Sequence, residues 1–502
     1  MNVSTFLKHW NINENPFMAE EARQDDVFAR LQGSASHPDF QKILGDITRP
    51  ASAVVFGEKG SGKTALRLQL ADAIAGENRR HPEHKALVIA YDELNPVLDR
   101  FARRVKGKSA LETLQKLRLV DHIDGLLSVT VPDLVDAALG EVSEGHVYFG
   151  EGAADTFRKL DKNIREDWVI LQSIYDRPDQ APDRTGRLKR RIRFLRTSAI
   201  TPLKWLSILL WAALAVGAGV YAFMFREETN WPWLIGLIAL GVLTLLTSGK
   251  YLLDRMARSR IAKQLSNQLR VLDRSAESFN GSLDQLPWKT IAQAGLPLDA
   301  LDDPRYAMLE RLRRAVRPFG FENIIVLVDR VDEPTLVNGE TDRMKAVVWP
   351  MFNNKFLQQD RFAFKMMLPI ELRHELRRQS SDFFQEARLD KQNMIDRLTW
   401  PGATLYDLCT ARLNSCLEDG ADPISLTTIF EDSVTRQDIV DALDQMRQPR
   451  DAFKLMYSVI QTHCGNTTEE ESRWLIPKLV LDQVRRQQTD RLEALQRGIG
   501  PA

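Results

Sequence analysis

Cysteine is scarce, with three residues in 502: Cys409, Cys416 and Cys464. An odd, unclustered set excludes a disulfide framework and a structural zinc site, and fits buried or spare thiols in a reducing compartment. Net charge is lacking too, because 68 basic and 68 acidic side chains cancel. A chain without a basic excess has no overall nucleic-acid footprint, so a nucleic-acid partner is not expected and charge-driven partners must come from local patches. Met1 to Phe17 lacks the apolar stretch and small-residue cleavage site of a secretory leader, and none is expected there. No internal repeat and no low-complexity tract interrupts the chain. A hydrophobic fraction of 44% excludes global disorder, and the length leaves room for roughly two to four structural units.

Long apolar runs are present, and they are abrupt. Trp205 to Phe225 is 21 residues without a charge, and Trp231 to Gly249 is 19 more. At 1.5 Å per residue the first run spans about 31 Å, the thickness of a bilayer core. Before it come Arg184, Arg187, Lys189, Arg190, Arg191, Arg193, Arg196 and Lys204, with no acid among them. After the second come Lys250, Arg255, Arg258, Arg260 and Lys263 against Asp254 alone, while the loop Arg226–Asn230 is short and slightly acidic. These features predict a transmembrane hairpin in the inner (cytoplasmic) membrane, with both termini on the cytoplasmic side. The lipid bilayer is then the first expected partner. Neither run contains an acid, Lys, Arg or His, and ion pathways and proton relays need such groups. The hairpin alone is therefore not expected to be a transporter.

Ala51–Phe56 reads as a buried strand running into Gly57-Glu58-Lys59-Gly60-Ser61-Gly62-Lys63-Thr64, and Ala65–Ala75 then reads as a helix. This is GxxxxGK[ST] in the strand–loop–helix setting it requires. Gly57, Gly60, Ser61 and Gly62 let backbone N–H groups curl inward toward phosphate oxygens at a helix N-terminus. Lys63 would place a point charge at the β- and γ-phosphates, and the Thr64 hydroxyl would ligate Mg²⁺. The expected cofactors are thus ATP and Mg²⁺. A second acidic strand is needed, and Ile324–Val328 followed by Asp329-Arg330-Val331-Asp332-Glu333 supplies it. Asp329, at the strand's C-terminal end, would hold the metal, and Asp332 or Glu333 would polarise the attacking water.

The fold expected is α/β: a P-loop NTPase core of parallel strands flanked by helices, with an inserted two-helix hairpin and a C-terminal helical lid. The division expected is 1–100 for a lead-in helix and the first half of the core, and 101–200 for a helical insertion and basic linker. It continues with 204–253 for the hairpin, 254–315 for a returning stalk, 316–400 for the second half of the core, and 401–502 for lid and tail. Within this scheme His84–Glu93 and Phe362–Leu368 read as further core strands. Asp176–Gly186 reads as a polar, proline-bearing linker, and Leu253, Met256, Ile261, Leu265, Leu269 and Leu272 read as one face of a stalk helix.

Several of these segments carry a resemblance. Gly57–Thr64 resembles the Walker A motif of the STAND and origin-recognition-like branches of the AAA+ superclass. Asp329-Arg330-Val331-Asp332-Glu333 looks like the spaced Walker B of NACHT and KAP NTPases. Asn15-Pro16-Phe17 is similar to the lead-in of ATPases in that branch, and Pro449-Arg450 resembles their helix start whose arginine senses the γ-phosphate. Transmembrane helices between Walker A and Walker B are the hallmark of KAP NTPases, so that family is the one this chain resembles most. Arg330 directly after Asp329, and Leu368-Pro369-Ile370-Glu371 in place of a polar sensor, depart from its pattern. The resemblance implies a Mg-dependent ATPase acting as a membrane-anchored conformational switch, with Arg450 as sensor and a role in phage exclusion or antiviral defence. A homo-oligomer and a protein effector encoded nearby are the further partners expected. The alternative is an ATP-powered oligomeric pore or transport machine, since one hairpin cannot line a channel.

Overall fold

The computed structural model describes residues 1–18, 22–31, 36–141, 147–196, 198–225, 230–379, 383–384, 387–389, 392–468 and 473–496. The chain forms two compact units, Met1–Glu93 with Asn323–Ala502, and Leu94–Glu322. The second unit is therefore inserted into the first.

The first unit is built on a five-stranded sheet: β1 (Ala53–Gly57), β2 (Lys85–Tyr91), β3 (Phe321–Val328), β4 (Phe362–Pro369) and β5 (Asn393–Ile395). The spatial order is β2-β3-β4-β1-β5, and the β1–β4, β1–β5 and β3–β4 pairs are parallel. Strands covered on both faces need near-continuous apolar runs, and β1 and β4 are buried at every residue. β2 is an outer strand and partly open, whereas β5 has three residues, too few for a periodic signal. Helix α1 (Lys63–Arg80) returns over the sheet, and its Leu66, Leu70 and Ile74 join Val55, Ile325, Leu327 and Met367 in one core.

The inserted unit is helical in its described residues. Its main elements are α2 (Leu119–Leu139), α3 (Lys162–Tyr175), α4 (Ala181–Arg191), α5 (Ile200–Met224), α6 (Trp231–Gln268) and α7 (Asp303–Val316). The proline-bearing stretch Asp176–Gly186 is not a linker. Asp176 is buried, and Pro182 sits in the first turn of α4, where its missing N–H costs nothing. Arg184 is buried with it, pairing with Asp176 at 2.8 Å, Asp136 at 2.7 Å and Glu141 at 2.6 Å. Arg184 and the equally buried Arg258 thus do not belong to the exposed basic flank of the membrane runs.

Helices α5 and α6 are long and apolar enough to cross a membrane, and only 6% of the most apolar window of each is buried within the protein. That exposure does not suit core helices of a soluble protein. Their polar groups are satisfied internally, as a bilayer requires. Ser207 and Ser248 hydroxyls meet at 2.7 Å, the Trp211 indole N–H donates to Ser248 at 3.1 Å, and Thr244 donates to the Leu240 carbonyl at 2.7 Å. The loop between them, residues 226–229, lies outside the described residues. α6 does not stop with the apolar run at Gly249 but continues as one helix to Gln268, burying Leu265 on the way.

Back in the first unit, β4 leads into α8 (Ile370–Arg377), and β5 leads to α9 (Gly402–Asn414), α10 (Pro449–Gly465) and α11 (Lys478–Gln496). These C-terminal helices share a core with the N-terminal module: Phe6, Phe17 and Val27 pack with Leu405, Leu413, Leu455 and Val459. The Asn15-Pro16-Phe17 turn closes through the Asn15 side-chain Oδ1, which accepts from the Phe17 N–H at 3.0 Å. Buried Arg412 of α9 holds it by donating to the Pro16 carbonyl at 2.7 Å and to Asp25 at 2.6 Å.

Candidate functional site

The C-terminal ends of β1 and β3 lie on one edge of the parallel sheet, separated by β4. From β1 the chain crosses to the far edge strand β2 and steps back inward through β3 and β4, and β5 is added on the other side of β1. Ligands in such sheets bind outside the carboxyl ends, where the strand order reverses. The glycine-rich loop after β1 sits there.

Its backbone follows from its glycines. Gly60 and Gly62 have φ of +93° and +87°, a region side-chain-bearing residues rarely adopt. The loop then enters α1 at Lys63, and the Leu66 N–H closes the first helical turn on the Gly62 carbonyl at 2.8 Å. A Cβ at Gly57 would collide with the Ser61 hydroxyl, and one at Gly60 would lie 2.9 Å from Gln448 Oε1 and 3.2 Å from Arg450 Cβ. The buried Ser61 hydroxyl has no hydrogen-bond partner. A cradle that admits only glycine and carries an orphaned polar atom fits a phosphate group.

Thr64 and Asp329 meet although 265 residues separate them: the Thr64 hydroxyl donates to Asp329 Oδ2 at 2.8 Å. A hydroxyl and one carboxylate are hard oxygen donors, the set Mg²⁺ takes with several retained waters. Among the described residues no group of three or more His, Cys, Asp or Glu side chains forms a denser metal site. Burial pushes the Asp329 carboxyl above the usual range, opposed by the Thr64 hydrogen bond, the Arg330 N–H and the charges of Arg67 and Lys63. Burial likewise pushes the Lys63 ammonium down, against the pull of Asp332, Asp329 and Glu371, with Arg450 adding repulsion. Lys63 donates to the Gly57 and Glu58 carbonyls at 2.8 and 2.9 Å.

Of the two acids that follow Asp329, Asp332 exerts the larger attraction on Lys63. Glu333 is paired with Arg330, whose φ of +57° turns the chain just past β3. Arg450, at the second residue of α10, rests against the loop, with its N–H 3.5 Å from the Gly60 carbonyl.

Other contacts at the loop carry no motif. The Trp400 indole donates to the Ser61 carbonyl at 2.8 Å, and Glu58 is held by Arg397 and Gln448. Arg67 lies 3.1 Å from Asp92 and 3.8 Å from Asp329. Glu371 begins α8 directly after β4. A strand end followed by an acid was the only signal for Glu371, and nothing in the spacing points to Trp400, Gln448 or Arg67. Comparison with protein-family models, with curated protein sequences and with solved structures found no match to this chain.

Proposed function

We propose that this protein is a membrane-anchored P-loop ATPase of KAP type, working as an ATP-driven conformational switch on the cytoplasmic side of the inner membrane. The observation that carries the reading is the 2.8 Å contact of Thr64 with Asp329 beside Lys63, at the mouth of a loop only glycines can form. The loop N–H groups and Lys63 would bind the phosphates of ATP, and Thr64 with Asp329 would hold Mg²⁺. The metal, when bound, neutralises charge on the phosphate oxygens. Asp332, the acid with the strongest pull on Lys63, accepts a proton from the attacking water. The water oxygen bonds the γ-phosphorus as the bridging P–O bond breaks, leaving ADP and inorganic phosphate. Arg450, resting on Gly60, is suited to report the γ-phosphate to the C-terminal helices. α5 and α6 serve as the anchor, and defence against phage is the role the resemblance implies.

The test is Mg-dependent ATP hydrolysis by the full chain in lipid nanodiscs, compared with Lys63→Ala and Asp332→Ala. Loss of one preorganised charge-stabilising donor costs about 10²–10³ in kcat, and a drop of that order is expected for Lys63→Ala. Unchanged hydrolysis in both variants would sink the reading.

A further inference from the structure

Arg67 has two carboxylates within reach and a close ion pair with only one. It sits one turn after Thr64 on the same face of α1, and it is 6% exposed. A terminal guanidinium nitrogen lies 3.1 Å from Asp92 Oδ2. Its Nε faces Asp329 Oδ2 from 3.8 Å, beyond hydrogen-bond range, and that buried N–H has no hydrogen-bond partner. The oxygen it faces is the one that accepts the Thr64 hydroxyl.

Asp92, 8% exposed, follows β2 and is shared: Arg23 of the N-terminal module pairs with it and also with Glu93 at 3.3 Å. Glu93 is the last residue of the first unit before the chain passes into the insertion. The charges thus alternate in a row, Asp329, Arg67, Asp92, Arg23 and Glu93. A guanidinium is a rigid planar fork that is never neutral in proteins, so how closely it approaches one carboxylate depends on how firmly the other holds it. A cation held by Asp329 would repel it toward Asp92.

Resting on the nucleotide-site reading above, we propose that Asp92 is a positioning residue that holds Arg67 off Asp329, and so keeps the metal carboxylate available. With Asp92 in place the fork is engaged sideways and Asp329 faces Thr64. Without it, Arg67 closes the remaining gap and competes with Mg²⁺ for the same oxygen. Arg23 sets how much of Asp92 is free to do this, which ties metal affinity to the N-terminal module and to the point where the chain leaves the sheet.

The test reads binding rather than turnover. A fluorescent N-methylanthraniloyl ATP is titrated onto the full chain in nanodiscs, without metal and then across a Mg²⁺ series. Changes to residues that orient metal ligands typically cost 10- to 100-fold in metal affinity. Asp92→Asn is therefore expected to raise the half-saturating Mg²⁺ by about 10- to 100-fold and to leave metal-free nucleotide affinity unchanged. Adding Arg67→Gln to Asp92→Asn is expected to bring the Mg²⁺ requirement back toward wild type, because the competitor is gone. An unshifted Mg²⁺ requirement in Asp92→Asn, or a double variant as impaired as the single, overturns the proposal. So does an equal loss of metal-free binding, which would mark Asp92 as merely structural. If the wild-type chain binds no nucleotide at all, the functional reading fails together with this inference. If it binds with Mg²⁺ and the variants follow it, only this inference fails.

Discussion

Two single residues expose the physics of the sheet and its loop. Gly60, at φ +93°, would bring a new Cβ to 2.9 Å from Gln448 Oε1 and 3.2 Å from Arg450 Cβ. Forcing a side chain into that region costs about 1–3 kcal/mol, so Gly60→Ala should lower the melting temperature and weaken nucleotide binding. Gly76 is the control, because it lies inside α1 and its nearest neighbour to a new Cβ is 3.9 Å away. Gly76→Ala should instead stabilise by about 0.5–1 kcal/mol through helix propensity; equal losses in both variants would show that the loop geometry is not what matters. Lys365 is the second case. It lies fully buried in β4 and donates to the carbonyls of Ile43, Leu44 and Ala51 at 2.6, 3.0 and 2.7 Å. Burial pushes its ammonium down to about 8, while an unfolded lysine titrates near about 10.4. Between those values the unfolded chain binds more protons, so this lysine makes stability rise with pH from about 8 to 10.4. Urea midpoints measured across that window should climb more steeply in wild type than in Lys365→Met. Parallel curves would remove Lys365 as the cause.

At the level of elements, the strongly periodic and the long apolar segments were legible, and the electrostatically held ones were not. Ala53–Gly57, Phe321–Val328 and Phe362–Pro369 form strands within a few residues of where their apolar runs predict them. The turn into α1 was readable because only glycine suits its backbone. Asp176–Gly186 was misread because proline and charge normally signal solvent, and sequence spacing cannot show that Arg184 meets Asp136 and Asp176, one of them 48 residues upstream. Likewise Trp400 and Gln448 reach the loop from 339 and 390 residues away, through contacts no local pattern encodes. The Arg184 network makes its own prediction. Removing one partner of a buried ion pair leaves uncompensated charge and costs about 3–5 kcal/mol. Arg184→Ala should therefore strip hydrogen-exchange protection from α4 and destabilise the inserted unit. A linker would show little protection in wild type and no response to the change.

For the whole molecule the decisive fact is connectivity. The chain leaves the first unit after Glu93, carries two bilayer-length helices, and re-enters at Asn323, two residues into β3, whose end bears Asp329. The sequence suggested a flexible joint on the entry side and a stalk helix on the exit side, and both stretches are helical. On the way in, the stretch read as a linker is α4, fixed by buried Arg184. On the way out, α6 is a single helix of 38 residues, longer than the roughly 20 a bilayer needs, so the apolar span continues without a break into the part beyond it. A passive anchor needs no ordered helices beside its apolar runs, and α4 and α6 provide them. We expect the hairpin and the proposed nucleotide site to be coupled, and binding coupling is reciprocal, so perturbing the hairpin must change nucleotide affinity by the same factor that nucleotide changes the hairpin equilibrium. Such couplings are typically about 1–3 kcal/mol, or about 5- to 150-fold. Replacing Trp205–Gly249 with a short soluble linker tests this directly. A shift of nucleotide affinity within that range is the expected result, with Lys63→Ala in the same background to show that the binding measured is at the loop. If affinity and hydrolysis are the same with and without the hairpin, α5 and α6 hold the protein at the membrane and transmit nothing.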